Sequence, residues 1–202
     1  MICDLCCAPA TAPLNHTMTP PMTSEAELKR RVWQELQRAT HDRHHEWRTP
    51  MLTSTGLEGT PQARTLVLRR AAPASWQLTF YTDSRSNKVL ELQKNPQATV
   101  AFWSKRLGWQ IRLQASVTVL TEGPEVTEAW CELYQSPSAG DYLSLAAPGS
   151  PLALQANGPG RSKHHHLALL QVQVTSLDWL ELASVGHRRA LMTPTTLDWR
   201  VP

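Results

Sequence analysis

The chain has 202 residues, 41% of them hydrophobic and 18% charged, a composition that can bury a core and excludes the intrinsically disordered type. Its 20 Lys and Arg are dispersed among 17 Asp and Glu, leaving a formal net charge of +3 and no basic tract suited to nucleic acid. No stretch reaches the roughly 20 consecutive apolar residues of a membrane span, so the expectation is a soluble cytoplasmic globule that binds neither membrane nor nucleic acid. In chain order, the opening "MICDLCCAPATAPLNHTM" lacks the basic-then-apolar succession of a signal peptide. Residues 1–23 are expected to be a disordered leader, with Met18 or Met22 as alternative starts, ahead of one domain over 24–202. The "CDLCC" cysteines Cys3, Cys6 and Cys7 have the spacing of a metal clip, but only His16 lies near enough to join them, so no metal is expected.

Ser24 followed by Glu27 forms a capping box, and Leu28, Val32, Leu36 and Ala39 repeat at helical spacing. These signals predict a surface helix, with Trp33 and Trp47 as packing anchors beside it. After Pro50 the pattern shortens to strands. "MLTSTG", "LEGTPQ" and "ARTLVLRRA" read as a hairpin turned by Gly56 and Gly59, and "SWQLTFYT" as a third strand. "FYTDSRSNKVLELQKNP" then passes from strand through a polar turn to a short helix that stops at Pro96. "ATVAFWS" and the alternating "GWQIRLQASVTVLT" are two further strands. Pro124 opens an amphipathic helix, "PEVTEAWCELYQS", in which Cys131 reads as a buried small hydrophobe. Residues 137–163 form a long irregular stretch. "HLALLQVQVTSLDWLELAS", "VGHRRALMT" and "LDWRVP" return to strand pattern. His164, His165 and His166 cannot all face one ion along an extended strand. The whole pattern implies a mainly β fold, an antiparallel barrel with flanking helices.

The polar turn admits two readings. It is either an ordinary connection with Ser86 capping the helix, or an anion site. In the second reading, Arg64, Lys88, hydroxyls and the free N–H groups of a helix start converge on one spot, provided the strand of Arg64 pairs with that of Thr82.

Five segments in order, "RTLVLRR", "FYTDSRSNK", "LELQKNP", "WQIRLQASVTVL" and "DWLELASVGHRR", resemble the FMN-binding split barrels of the pyridoxamine 5′-phosphate oxidase family over roughly residues 25–202. The resemblance implies an antiparallel split β-barrel and an FMN held between the subunits of a homodimer. It also implies the site. Arg64 would grip the flavin phosphate, and the backbone of Thr65, Leu66, Val67 and Leu68 would run beside the ring. Tyr81 and Thr82 match a pair whose threonine reaches the phosphate, and Lys88 matches the family lysine. Asn87 stands where an arginine is expected, and Arg85 is the nearby cation that could replace it. Gln110 would reach the ring, Ser150 would offer a polar contact from the other subunit, and Trp179 and Arg189 match the closing "W…H-x-R" pattern, with Gln110 and the Trp179/Arg189 pair expected from opposite subunits.

On the substrate side the resemblance is looser. Arg69 takes the place of a phosphate-binding lysine, Val185 that of an arginine, and "YQSPSAGD" that of an arginine-bearing segment, whereas His187 is kept. His187 is either a proton donor or a wall residue, and it and Arg69 are the substrate-side candidates. The implied function is an FMN-dependent oxidoreductase acting on a small molecule. The alternatives are a pyridoxamine 5′-phosphate oxidase with an altered substrate-phosphate site and a non-catalytic flavin- or haem-binding module.

Overall fold

The computed structural model describes residues 24–151 and 160–202. The cysteines of "CDLCC" and His16 therefore lie outside the described residues. The described residues form three α-helices and nine strands. α1 spans Glu25–His41, α2 Asn87–Lys94 and α3 Pro124–Tyr134. The strands are β1 (Met51–Thr55), β2 (Pro61–Thr65), β3 (Leu68–Ala72), β4 (Gln77–Asp83), β5 (Gln97–Ser104), β6 (Trp109–Leu120), β7 (Leu167–Glu181), β8 (Arg188–Met192) and β9 (Leu197–Arg200).

α1 starts where its cap predicts, with the Ser24 side chain accepting from the Glu27 N–H. Its stripe of Leu28, Val32, Leu36 and Ala39 is buried together with Trp33, and the helix lies against β3. Trp47 sits in a short 3-10 turn, Glu46–Arg48, and is fully buried. It meets Phe102 and Trp109 at ring-centroid distances of 5.8 and 6.3 Å, and Trp109 meets Trp179 edge-on at 5.4 Å. This aromatic chain is the centre of the core, where each large ring excludes much water for little side-chain entropy.

All pairings in the sheet are antiparallel, and its strand order is β2-β1-β5-β6-β7-β4-β3, with β8 added beside β7 and β9 beside β8. β7 makes this branching possible because it is 15 residues long. One edge pairs with β6 almost end to end. The other edge takes β4 along residues 167–173 and β8 along residues 177–181. The register of β6 and β7 shifts between Gln114 and Ala115, close to where β7 changes partner, and such a bulge increases local twist.

One strand expectation is corrected. "ARTLVLRRA" is not a single strand: β2 ends at Thr65, β3 begins at Leu68, and the two lie at opposite ends of the strand order. Only Leu66 and Val67 join them. Thr65 and Leu68 are then three Cα steps of 3.8 Å apart, at most about 11 Å, so the sheet must curl until its two ends nearly meet. The result is a barrel whose ends approach without pairing, a split barrel. Consequently the strand of Arg64 does not pair with that of Thr82. β2 pairs with β1, setting Arg64 against Leu52, while β4 pairs with β3 and β7.

Two smaller points concern α3 and the histidines. Its buried face is Val126, Ala129 and Leu133, and Cys131, off that stripe, is exposed rather than buried. His165 stacks on Trp130 with centroids 4.4 Å apart.

Candidate functional site

The curl of the barrel brings Arg64, from one end of the strand order, to the turn that follows β4 at the other. Lys88, one residue into α2, donates to the Thr82 hydroxyl at 3.0 Å, and that hydroxyl lies 3.3 Å from the Ser86 hydroxyl. Burial depresses the Lys88 ammonium below the ordinary lysine range, and the positive charge of Arg64 adds to the effect. The two cations therefore share one neighbourhood although their strands do not pair.

Ser86 precedes α2 without capping it. Its hydroxyl donates to the Asp83 carbonyl at 2.7 Å, and the first turn of the helix contains no acidic residue. The ordinary-cap reading of this serine is not what the structure shows. The positive end of the α2 dipole is left without an anionic side chain of its own.

Arg64 carries a partner that the sequence reading missed. Its Nη2 donates to Glu91 Oε2 at 2.6 Å and its Nη1 to Ser54 Oγ at 2.5 Å, while Ser54 Oγ donates to the same Glu91 oxygen at 2.6 Å. Glu91 is 6% exposed and lies one helical turn beyond Lys88. A signal did exist, because Glu91 sits between Val89 and Leu92 on the buried face of a short helix, where a carboxylate needs a cationic partner.

Arg85 is not the substitute for the arginine that Asn87 replaces. Its guanidinium is held by both oxygens of Asp83, at 3.0 and 2.7 Å, and donates to the carbonyls of Ser144, Leu145 and Ala146. Burial works to raise the Asp83 pKa, yet the bonds from Arg85 overcome it and hold the carboxyl below its usual range. This pair fastens the 144–146 segment to the end of β4. Asn87 itself is exposed and lines a polar pocket of about 290 Å³ with Gln62, Glu91 and the β1–β2 turn.

Around this group, Thr65 is exposed, Leu66 and Val67 are half-buried, and Leu68 is fully buried. The β3–β4 register shifts between Leu68 and Arg70, so Arg69 falls in the irregularity. Its guanidinium lies over the Tyr81 ring, 5.3 Å from the centroid, and its Nε is buried without a hydrogen-bond partner. Burial raises the pKa of both Tyr81 and Tyr142, which face this arginine.

The remaining expected residues form a second group. The register sets Gln110 opposite Leu180 and Leu180 opposite Arg189, placing the three in one row across β6, β7 and β8. Gln110 and Arg189 are then two strand spacings apart in the same chain, about 10 Å. Arg189 is held by both oxygens of Asp178, at 3.0 and 2.7 Å, and its bonds are the main cause that holds the Asp178 carboxyl below its usual range. Trp179 is fully buried in the core and has no surface to offer a ligand; Arg188 lies over its ring at 5.6 Å. His187 is exposed in the turn before β8, and its Nδ1 accepts from the Ala183 N–H at 3.3 Å. Ser150 is exposed in the 137–151 loop, with its hydroxyl on the Ala147 carbonyl. Among the described residues, no hydrogen bond or ion pair joins the Arg64–Lys88 group to the Gln110–Arg189 row.

Residues 30–121 match the model of the pyridoxamine 5′-phosphate oxidase, FMN-binding domain. The chain is 33% identical over 133 residues to a pyridoxine/pyridoxamine 5′-phosphate oxidase of Acinetobacter baumannii, a match covering 66% of this chain and 54% of that one. A similarly named protein of Thermosynechococcus vestitus is 35% identical over 66 residues, 33% of this chain and 30% of its own. The chain thus spans between about a third and a half of the length of the curated relatives it matches. In fold it is similar to a pyridoxamine 5′-phosphate oxidase-related, FMN binding protein from Nostoc punctiforme, with a TM-score of 0.68 at 21% identity over 89% of this chain and 99% of that one. No helix among the described residues is long and apolar enough to cross a membrane.

Proposed function

We propose that the chain holds the phosphate of FMN between Arg64, Lys88 and Thr82 at the start of α2, and uses the flavin as an oxidoreductase on a small molecule. The observation that carries this reading is the convergence, across the split in the barrel, of two cations and two hydroxyls on a helix start with no acidic residue of its own. When bound, FMN supplies the acceptance and release of a hydride. Everything else falls to the chain. Lys88 and Arg64 bind the phosphate, Thr82 orients Lys88, and the Thr65–Leu68 backbone, which crosses between the ends of the sheet, lies where it can flank the ring. The Arg69 guanidinium, seated over the Tyr81 ring, is the cation on the substrate side.

Gln110, Arg189, Ser150 and His187 complete the site in a homodimer, in which the row on β6–β8 of one subunit faces the Arg64–Lys88 group of the other. In this arrangement the dimer joins the two groups rather than joining Gln110 to Arg189. Because the Nδ1 of His187 accepts a backbone N–H, its neutral ring carries the proton on Nε2, which leaves that atom as the donor toward a substrate. Trp179 supports the row from the core without touching the ligand.

The substrate is not read as pyridoxamine 5′-phosphate. Val185 is 78% exposed where a second arginine would stand, and Arg69 is the sole cation left of the family's substrate-phosphate set. Stopped-flow reduction of the FMN-loaded protein by NADH and NADPH, followed by a panel of acceptors, tests turnover. Oxygen uptake with pyridoxamine 5′-phosphate tests the alternative substrate. Reduction and reoxidation with no uptake on pyridoxamine 5′-phosphate is the expected result. A flavin that no donor reduces would overturn the enzymatic reading in favour of a binding module.

A further inference from the structure

We propose that Glu91 is a built-in stand-in for the cofactor phosphate, and that its contest for Arg64 sets how strongly and how selectively the site takes a phosphate monoester. This rests on reading Arg64 and Lys88 as the phosphate cations. The Arg64–Ser54–Glu91 triangle is closed. The Ser54 hydroxyl accepts from Arg64 and gives its one proton to Glu91, and the same Glu91 oxygen takes the Nη2 bond at 2.6 Å. Glu91 is nearly inaccessible, with its side chain 8% exposed against 20% for Arg64, so little water screens its charge.

A carboxylate therefore already balances the arginine of the site, and Asn87 withholds the further cation that the family pattern expects there. Of the five N–H groups of Arg64, two are engaged and three remain. A phosphate that uses the remaining three meets a guanidinium whose charge is balanced, next to a fixed negative charge. A phosphate that takes the engaged ones must displace Glu91, to which no other cation is bonded among the described residues. In both cases the ligand needs a second anchor, and Lys88, one turn along the same helix, is that anchor. A doubly charged monoester that spans Arg64 and Lys88 overcomes the carboxylate. A neutral flavin gains nothing from either cation.

The test compares dissociation constants of the full-length chain for FMN and for riboflavin, read by flavin fluorescence, in the wild type, Glu91→Gln, Glu91→Asp and Arg64→Ala. Glu91→Gln keeps the shape and the bond to Ser54 but removes the charge. FMN affinity is expected to rise roughly tenfold, equivalent to 1.4 kcal/mol, with riboflavin affinity unchanged. Glu91→Asp retains the charge and withdraws it by one methylene, so a smaller rise in the FMN-to-riboflavin ratio is expected, and it serves if the glutamine variant does not fold. A purely structural role, in which Glu91 only holds Arg64 in place, predicts the opposite. An FMN-to-riboflavin ratio that is unchanged or reduced in the Glu91 variants, while Arg64→Ala weakens FMN, overturns this proposal and leaves the phosphate site standing. An Arg64→Ala variant with undiminished FMN affinity overturns the phosphate site itself and this proposal with it.

Discussion

Replacing Lys88 with methionine isolates the charge of the site from its shape. The Lys88 stem is half-buried, so Met keeps most of the packing and removes the ammonium. One of the three N–H donors goes to the Thr82 hydroxyl at 3.0 Å, which leaves two for a ligand. A hydrogen bond to a charged partner contributes about 1.5–3 kcal/mol. Loss of one such bond weakens FMN about 10- to 150-fold, and loss of both weakens it further, with Arg64 retaining residual binding. The protein without ligand should be little affected, since burial and Arg64 already disfavour the ammonium there. Fluorescence titration with FMN and with riboflavin is the assay, and thermal melting without flavin is the control. The reasoning is refuted if FMN and riboflavin lose affinity equally, or if neither does, because then the lysine does not meet a phosphate.

Three further outcomes are expected. The Lys88 pKa lies below the ordinary value of 10.5 in the free chain, and a bound dianion raises it again. FMN affinity thus falls as pH rises through the free-chain value, a decline that Lys88→Met abolishes and a pH titration of FMN binding detects. Arg85→Leu removes the clamp on the Ser144, Leu145 and Ala146 carbonyls, so hydrogen exchange should accelerate over 143–147 while the β4–β7 ladder stays protected. Sedimentation of the FMN-loaded protein should give twice the 22.6 kDa chain mass; a monomer that holds FMN tightly would refute the assembly of the site from two subunits.

Much of the architecture was legible in the sequence, because alternation and capping are local signals. The Ser24 cap of α1, the Pro start of α3 and the alternating β6 all form where the residue pattern puts them. What failed was non-local. "ARTLVLRRA" has an unbroken β-forming composition, and nothing in it marks that two residues, Leu66 and Val67, carry the chain from one end of the sheet to the other. That crossing goes with the curl of the sheet, which brings its two ends close without pairing them. It also explains how the anion-site reading could hold Arg64 and Lys88 together when the strand pairing assumed for it was absent.

Side-chain commitments were hidden for a similar reason. Arg85, Asp178 and Glu91 are each engaged by groups remote from them in sequence: the 144–146 carbonyls, Arg112 and Arg189, and Arg64 with Ser54. A motif shows which residues are present, whereas three-dimensional pairing decides which charges remain available. Glu91 illustrates the difference, because its place in the buried stripe of α2 announces a partner without naming one. Trp179 shows the converse, since a residue that matched a site pattern belongs to the core.

The central claim is that the curled barrel presents Arg64, Lys88 and Thr82 to a flavin phosphate. Absorbance and mass analysis of the small molecule that copurifies with the protein, or that it takes up on incubation with FMN, tests it most directly. The account predicts a yellow protein with the absorbance spectrum of a bound flavin and a released mass equal to that of FMN. A protein that stays colourless and takes up no FMN would contradict it.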